Sequence, residues 1–188
     1  MRPIDLLALF VPQLPLAHIV NDNGSFLSGL AHPALGFDHL LAMIAVGIIS
    51  AQLGGRAIWT VPATFVTVMA IGGVLGMAGI SILSVEFGIA LSVLSLGIAI
   101  AAGQKVPVWF AMTFVGVFAL FHGHAHGAEM PNLALPILYA AGFLTGTASI
   151  HLTGVCIGLV AETYQRGPVA LRILGASIAG IGAYLIVS

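Results

Sequence analysis

Six long apolar runs, separated by breaks of only a few residues, constrain this chain more than any other feature. They occupy roughly residues 36–53, 58–83, 87–102, 108–121, 135–160 and 169–187. A helix rises 1.5 Å per residue and needs about 20 apolar residues to cross a hydrocarbon core of about 30 Å, so runs of this length suit membrane spans. They lack the apolar/polar alternation of a barrel strand. Of the 188 residues, 60% are hydrophobic and only 6% are Asp, Glu, Lys or Arg, against about 25% charged in a soluble domain. Too few charges exist to cover a water-facing surface. The expected fold is an all-α polytopic membrane protein, a compact bundle of six transmembrane helices. Its first helix is interrupted and preceded by a short helical piece around Phe26–Ala31.

The breaks Gly54-Gly55-Arg56, Gly103 to Pro107, Gly127 to Asn132 and Tyr164 to Pro168 are short, which makes successive helices antiparallel. Glycines four apart recur at Gly72 and Gly76, Gly142 and Gly146, and Gly154 and Gly158. Small residues at that spacing let helix backbones approach closely, the usual basis of packing inside a bilayer. Residues 1–24 do not fit a span: Arg2 and an apolar stretch resemble a signal peptide, but Asp5, Pro12 and Pro15 interrupt it. They are read as an interfacial or signal-like segment, and residues 25–188 as the transmembrane domain. Arg56, Lys105, Arg166 and Arg172 fall on one face of a six-span topology and Arg2 on the other. That bias predicts the first face to be cytoplasmic, with both termini periplasmic in a bacterial inner membrane.

A net charge of −1 leaves no basic patch for nucleic acid, and the single Cys156 forms no internal disulfide or thiolate cluster. Seven histidines, however, outnumber the five Lys and Arg. Most sit in two motifs about 90 positions apart: His32-Pro33-Ala34-Leu35-Gly36-Phe37-Asp38-His39, and His122-Gly123-His124-Ala125-His126-Gly127-Ala128-Glu129. The first opens span one and the second closes span four, so the topology brings both to the external face. At 100° per residue His122, His126 and Glu129 share one helical stripe, and His124 points elsewhere. Pro33 suits a helix start, which makes His32 a near-cap residue and projects Asp38 and His39 from the second turn. Imidazole and carboxylate without thiolate suit borderline divalent metals such as nickel, cobalt, zinc or iron. Ionisable groups beside a span cost about 2.5 to 3.5 kcal/mol each and usually mark an ion path. The candidate metal ligands are therefore His32, Asp38, His39, His122, His126 and Glu129.

The remaining polar residues divide by position. His151 lies deep in span five, either satisfied by a neighbouring threonine or serving as a deeper waypoint, with Thr145, Thr147, Ser149 and Thr153 continuing a path. His18 and His124 read as interfacial residues, Cys156 as packing, and Met43 and Met130 as apolar filling.

The run His32-Pro33-x-x-Gly36-x-Asp38-His39-x-x-Ala42-Met43, with Phe121-His122-Gly123-x-Ala125-His126-Gly127-x-Glu129, resembles the HupE/UreJ family of membrane proteins. The likeness covers about residues 26–188 and includes the Thr-x-x-x-His pattern of span five. The resemblance implies a nickel permease associated with hydrogenase or urease. It places the family's functional residues on His32, Asp38 and His39, and on His122, His126 and Glu129. The expected function is thus import of Ni²⁺, with Co²⁺ or Zn²⁺ as other cargo, for metalloenzyme maturation, without enzymatic activity or a prosthetic group. The expected partners are the divalent ion and the lipid bilayer. The chain lacks the phosphate-binding loop of an ATPase. Two alternatives use the same groups: an intramembrane metal-dependent hydrolase and a metal-binding assembly subunit.

Overall fold

A computed structural model describes the backbone of residues 14–130 and 135–188, and side chains from Gly24 onward within those ranges. Seven helices occur among the described residues: α1 (Leu14–Leu35), α2 (Phe37–Leu53), α3 (Ala57–Met77), α4 (Val85–Ala102), α5 (Val108–Ala128), α6 (Pro136–Glu162) and α7 (Gly167–Val187). Helices α3 to α7 are each long and apolar enough to cross a membrane. The α1 segment from Gly24 and α2 pass that test together, bent by 82° at their junction, so a count of six spans treats the pair as one broken span. In lipid every backbone N–H and C=O needs an internal partner, which is why uninterrupted apolar sequence becomes helix here. The chain is an all-helical, multi-pass membrane protein.

Helix α2 is the hub. It touches every other helix, and Ala42, Met43, Ala45, Val46 and Ile48 are fully buried. A helix apolar on all sides is stable only when surrounded. The closest pairs around it are α3 with α5, α4 with α7, and α6 with both α1 and α2, and glycines let their backbones meet. On α3, a Cβ at Gly72 or Gly76 would collide with the Leu120 or His124 carbonyl; on α5, one at Gly123 or Gly127 would collide with the Met69 or Gly73 carbonyl. Gly142 and Gly146 meet α1 at the Phe26 and Leu30 carbonyls, and Gly154 meets α2 at the Ile44 carbonyl. The three glycine pairs anticipated from spacing all lie at such crossings.

Four boundaries differ from expectation. The short piece at Phe26–Ala31 is part of the 22-residue α1, which reaches back to Leu14, inside the segment set apart as N-terminal. Residues 1–13 and the side chain of His18 lie outside the described residues. Pro33 lies within α1, and the break comes at Gly36, whose backbone is extended (φ −83°, ψ 114°). The second span ends at Met77, not Leu83. The fourth runs on to Ala128, so the second histidine motif is helical up to its last residue, Glu129, which caps the helix.

Helix ends group as short connections require. The Gln52 side chain at the end of α2 donates to the Ile100 carbonyl near the end of α4 (3.3 Å). Gly103, in the left-handed conformation (φ 60°) that ends α4, faces the Arg172 side chain of α7. At the opposite end Ser25 Oγ accepts from the Leu135 N–H (3.0 Å). The histidine motifs lie at this second end.

Candidate metal centre

The bend at Gly36 turns the chain so that both ends of the first motif face α5. His32 comes from the last turn of α1, Asp38 and His39 from the first turns of α2, and His122 and His126 from successive turns of α5. Glu129 caps α5, its N–H bonded to the Ala125 carbonyl (3.0 Å). A Cβ at Gly36 would lie 3.2 Å from both Asp38 Oδ1 and His39 Nδ1, so glycine there gives that pair room to fold back over the break.

The four imidazoles form a row. Ring centroids are 4.8 Å apart from His32 to His126, 4.2 Å from His126 to His39, and 4.7 Å from His39 to His122, each pair edge to face. The outer end of the row is open and the rest is buried: the Glu129 side chain is 58% and His32 24% exposed, whereas His126, His39 and His122 are 4%, 8% and 0% exposed. Glu129 Oε2 lies 3.6 Å from His32 Nε2. One ligand atom from each of His32, His126 and Glu129 can be chosen so that all lie within 4.8 Å of one another.

Hydrogen bonds fix which nitrogens carry protons in the neutral rings. Asp38 Oδ1 accepts from the His39 backbone N–H (2.8 Å) and pairs with His39 Nδ1 (2.9 Å). The proton of neutral His39 therefore sits on Nδ1, and Nε2 keeps a bare lone pair, the carboxylate–histidine arrangement common around metals. Ser92 Oγ donates its one hydrogen to the Ile89 carbonyl (2.6 Å), so at 2.8 Å it accepts from His122 Nε2–H. That leaves the lone pair of His122 on Nδ1. His39 Nε2, His122 Nδ1 and both nitrogens of His126 are buried without hydrogen-bond partners among the described residues. Unpartnered nitrogens in an apolar interior are costly, and a cation is what such lone pairs can hold.

Comparison with known proteins matches the sequence to a family of known proteins. The family model described as "HupE / UreJ protein" matches residues 6–185. The chain belongs to the HupE/UreJ family. Protein HupE of Rhizobium leguminosarum bv. viciae is 45% identical over 183 residues, covering 97% of this chain and 95% of that protein. No solved structure matches.

In this HupE/UreJ protein all six candidate ligands of the two motifs come together, in unequal roles. Asp38 is tied to His39 and so acts as its orienting group in this geometry. His124 points away from the row, but it is buried, not interfacial: its Nε2 bonds the Ile80 carbonyl (2.6 Å) and ties down the connection after α3. Cys156 is exposed on α6, not packed. Thr145, Ser149 and Thr153 are also exposed, each donating to the carbonyl four residues earlier, so they do not continue a path inward. His151 is fully buried but not satisfied by threonine, because the Thr147 hydroxyl faces Met69 Sδ (3.9 Å). Ser92 and Phe65 are functional candidates that the sequence alone does not single out. Ser92 is one of two serines in an apolar run, and Phe65, tilted against His122 at 5.6 Å, has no polar signal at all.

Proposed function

We propose that this protein is a permease for a divalent transition-metal ion, Ni²⁺ first and Co²⁺ second, supplying metalloenzyme maturation from a bacterial inner membrane. The carrying observation is the row of four imidazoles leading inward from Glu129, with its buried lone pairs unpartnered. Imidazole nitrogen with carboxylate oxygen suits these borderline ions.

The ion meets His32, His126 and Glu129 first. Two ligand atoms about 2.1 Å from a metal lie at most about 4.2 Å apart, so a trio spread over 4.8 Å closes slightly around its cargo. His126 is shared between the outer trio and His39, and rotation of its ring hands the ion to His39 Nε2 and then His122 Nδ1. Asp38 and Ser92 keep those lone pairs available. The permease needs moderate affinity at each station, since an ion held too tightly does not leave. The basic face, with Arg56, Lys105 and Arg166, is cytoplasmic in this reading, and the histidine end is periplasmic. An intramembrane hydrolase would need room for substrate beside the metal. The cavity bordered by His126, Tyr139 and Phe143 measures about 140 Å³, below the roughly 300–1,000 Å³ of small-molecule sites.

The test is initial ⁶³Ni²⁺ uptake into liposomes containing this protein alone. Saturable uptake that is lost in His126→Ala and Glu129→Ala at matched protein density supports the reading. Tight binding without flux would support an assembly subunit instead.

A further inference from the structure

The end of the bundle opposite the imidazole row carries a groove that the proposed function leaves unused. It lies between α2, α4 and α5 and measures about 360 Å³. Ile49 and Leu53 line it from α2, Ile98 and Ala99 from α4, and Phe110 and Phe114 from α5. Ile98 and Phe110 are 54% and 48% exposed, so its outer side is open to the surrounding lipid. Gln52 also lines it and ties α2 to α4 by donating to the Ile100 carbonyl (3.3 Å). From Ala102 back to Ser95, both at the groove, α4 rises about 10 Å. That is roughly two-thirds of one leaflet of a hydrocarbon core about 30 Å thick.

The mouth of the groove is basic. Gln104 and Val106 line it, and Lys105 stands between them in the chain. Leu53, the last residue of α2, is followed by Gly54, Gly55 and Arg56. Both cations are exposed, and the ion pairs among the described residues involve histidines only, so neither cation has a carboxylate partner there. Trp59, Trp109 and Tyr164, each within about one helical turn of Arg56, Lys105 or Arg166, are 67%, 68% and 67% exposed. Amphipathic rings of this kind gather at the level of the lipid headgroups. The cations at the mouth therefore stand where lipid phosphates lie.

We infer that this groove binds one anionic phospholipid, with the upper part of an acyl chain between α4 and α5 and the phosphate beside Lys105 and Arg56. The site has the polarity order of a lipid, apolar inside and basic at the lip. Any acyl chain could fill an apolar groove, so the cations supply the selection. A zwitterionic headgroup brings its own ammonium and gains little from them, whereas phosphatidylglycerol brings a negative charge with no internal partner. Basic pockets between membrane helices hold anionic headgroups for this reason. The inference is independent of the ion's route, because the imidazole row lies at the other end of the bundle.

Trp109 adjoins the groove residue Phe110, with ring centroids 6.0 Å apart, and makes the site readable without transport. The chain has two tryptophans, and Trp59→Phe leaves Trp109 as the reporter. Bromine on an acyl chain quenches an indole that it touches. In phosphatidylcholine vesicles, Trp59→Phe protein should be quenched more by dibrominated phosphatidylglycerol than by the same fraction of dibrominated phosphatidylcholine, with an apparent preference of about fivefold or more. Adding Lys105→Ala and Arg56→Ala should bring that preference close to one. Adding Ala99→Phe instead fills the groove, keeps both charges and should also remove it, whereas simple attraction of anionic lipid to a basic surface would survive. Ala102→Leu serves as the filling variant if Ala99→Phe aggregates on size-exclusion chromatography. Equal quenching by the two lipids in Trp59→Phe protein, or a preference that persists in a folded, filled variant, overturns the inference. So does a lack of quenching by either lipid together with crosslinking into dimers, which would assign this face to a second copy of the chain.

Discussion

Ser92→Ala removes one oxygen atom and tests whether the tautomer of His122 matters. The Ser92 hydroxyl gives its hydrogen to the Ile89 carbonyl and receives Nε2–H from His122 at 2.8 Å, with both residues fully buried. Without it, Nε2–H is stranded in an apolar interior at a cost of about 1–3 kcal/mol. Nδ1 is buried and unpartnered as well, so neither tautomer is favoured and the lone pair is no longer held on Nδ1. An ion on Nδ1 would polarise Nε2–H further, and losing the acceptor of such a ligand's outer N–H costs about 10- to 100-fold in affinity at this station. The assay is initial ⁶³Ni²⁺ uptake against external concentration, with expression matched and the thermal midpoint measured in detergent. Ser92→Ala should weaken the apparent KM or lower the maximal rate within that range, and Ser92→Thr, which keeps a hydroxyl, should recover most of it. A Ser92→Ala uptake curve that superimposes on wild type would refute the argument. Equal losses in the alanine and threonine variants would show that packing, not the hydroxyl, is at issue.

Asp38→Asn removes the charge that holds the His39 Nδ1 proton but keeps the shape, and should reduce uptake about 10- to 100-fold, with no comparable loss of folded protein on size-exclusion chromatography. Protons and metal compete for imidazole lone pairs, and an ordinary imidazole titrates near 6.5. Lowering external pH from about 7.5 to about 5.5 should therefore weaken apparent Ni²⁺ affinity, measured as uptake KM at fixed internal pH and clamped potential; a flat profile would exclude histidine ligation at the mouth. Gly123→Val drives a side chain into the Met69 carbonyl and should lower stability by at least about 1–3 kcal/mol. Gly180→Ala, with nothing within 4 Å of the added methyl, should leave stability equal or higher by up to about 1 kcal/mol, both read from thermal denaturation in detergent.

How far the sequence reached depended on whether a signal was local. The apolar runs, short breaks and glycine pairs are local features, and they place the helices and the crossings where backbones touch. The convergence of the two motifs followed from counting spans between them. The length of α1 was hidden because Asp5, Pro12 and Pro15 set residues 1–24 apart as a segment that does not span, whereas the helix reaches back to Leu14 and is held by Gly142 and Gly146 against its backbone. Pro33 misled for a related reason. Its ring is accommodated where Gly146 has no side chain, a built Cβ there lying 3.0 Å from Pro33 Cγ, so the helix continues to Leu35 and breaks at Gly36. The polar stretch after Phe121 suggested the end of a span, but Gly123 and Gly127 seat it on α3 and the helix runs on. On α6 a row of hydroxyls suggested a path. Hydroxyls that bond the preceding turn satisfy themselves and can face outward, whereas His151 cannot do so.

In the permease reading, the order of charges along the row accounts for how one set of ligands captures an ion and still releases it. Glu129 and Asp38, the two carboxylates of the motifs, keep side chains 58% and 28% exposed, while His122 and His151 are at 0% and 1%. A divalent ion at the mouth thus exchanges water for a carboxylate while bulk solvent is still at hand. One step on, at His39, the negative charge stands behind the imidazole and compensates the ion through it. At His122 the group behind the ring is the neutral Ser92 hydroxyl, so each inward step gives up electrostatic stabilisation. A carboxylate at the deepest station would reverse that order and make the path a trap. The membrane potential acts in the opposite sense: about 2.3 kcal/mol per charge per 100 mV gives a divalent ion about 4.6 kcal/mol across the whole bilayer. An inside-negative potential therefore offsets a descending ladder of ligand strength, provided no step exceeds its share of the field. The imidazole spacing of 4.2 to 4.8 Å divides the descent into steps short enough for one ring to pass the ion to the next.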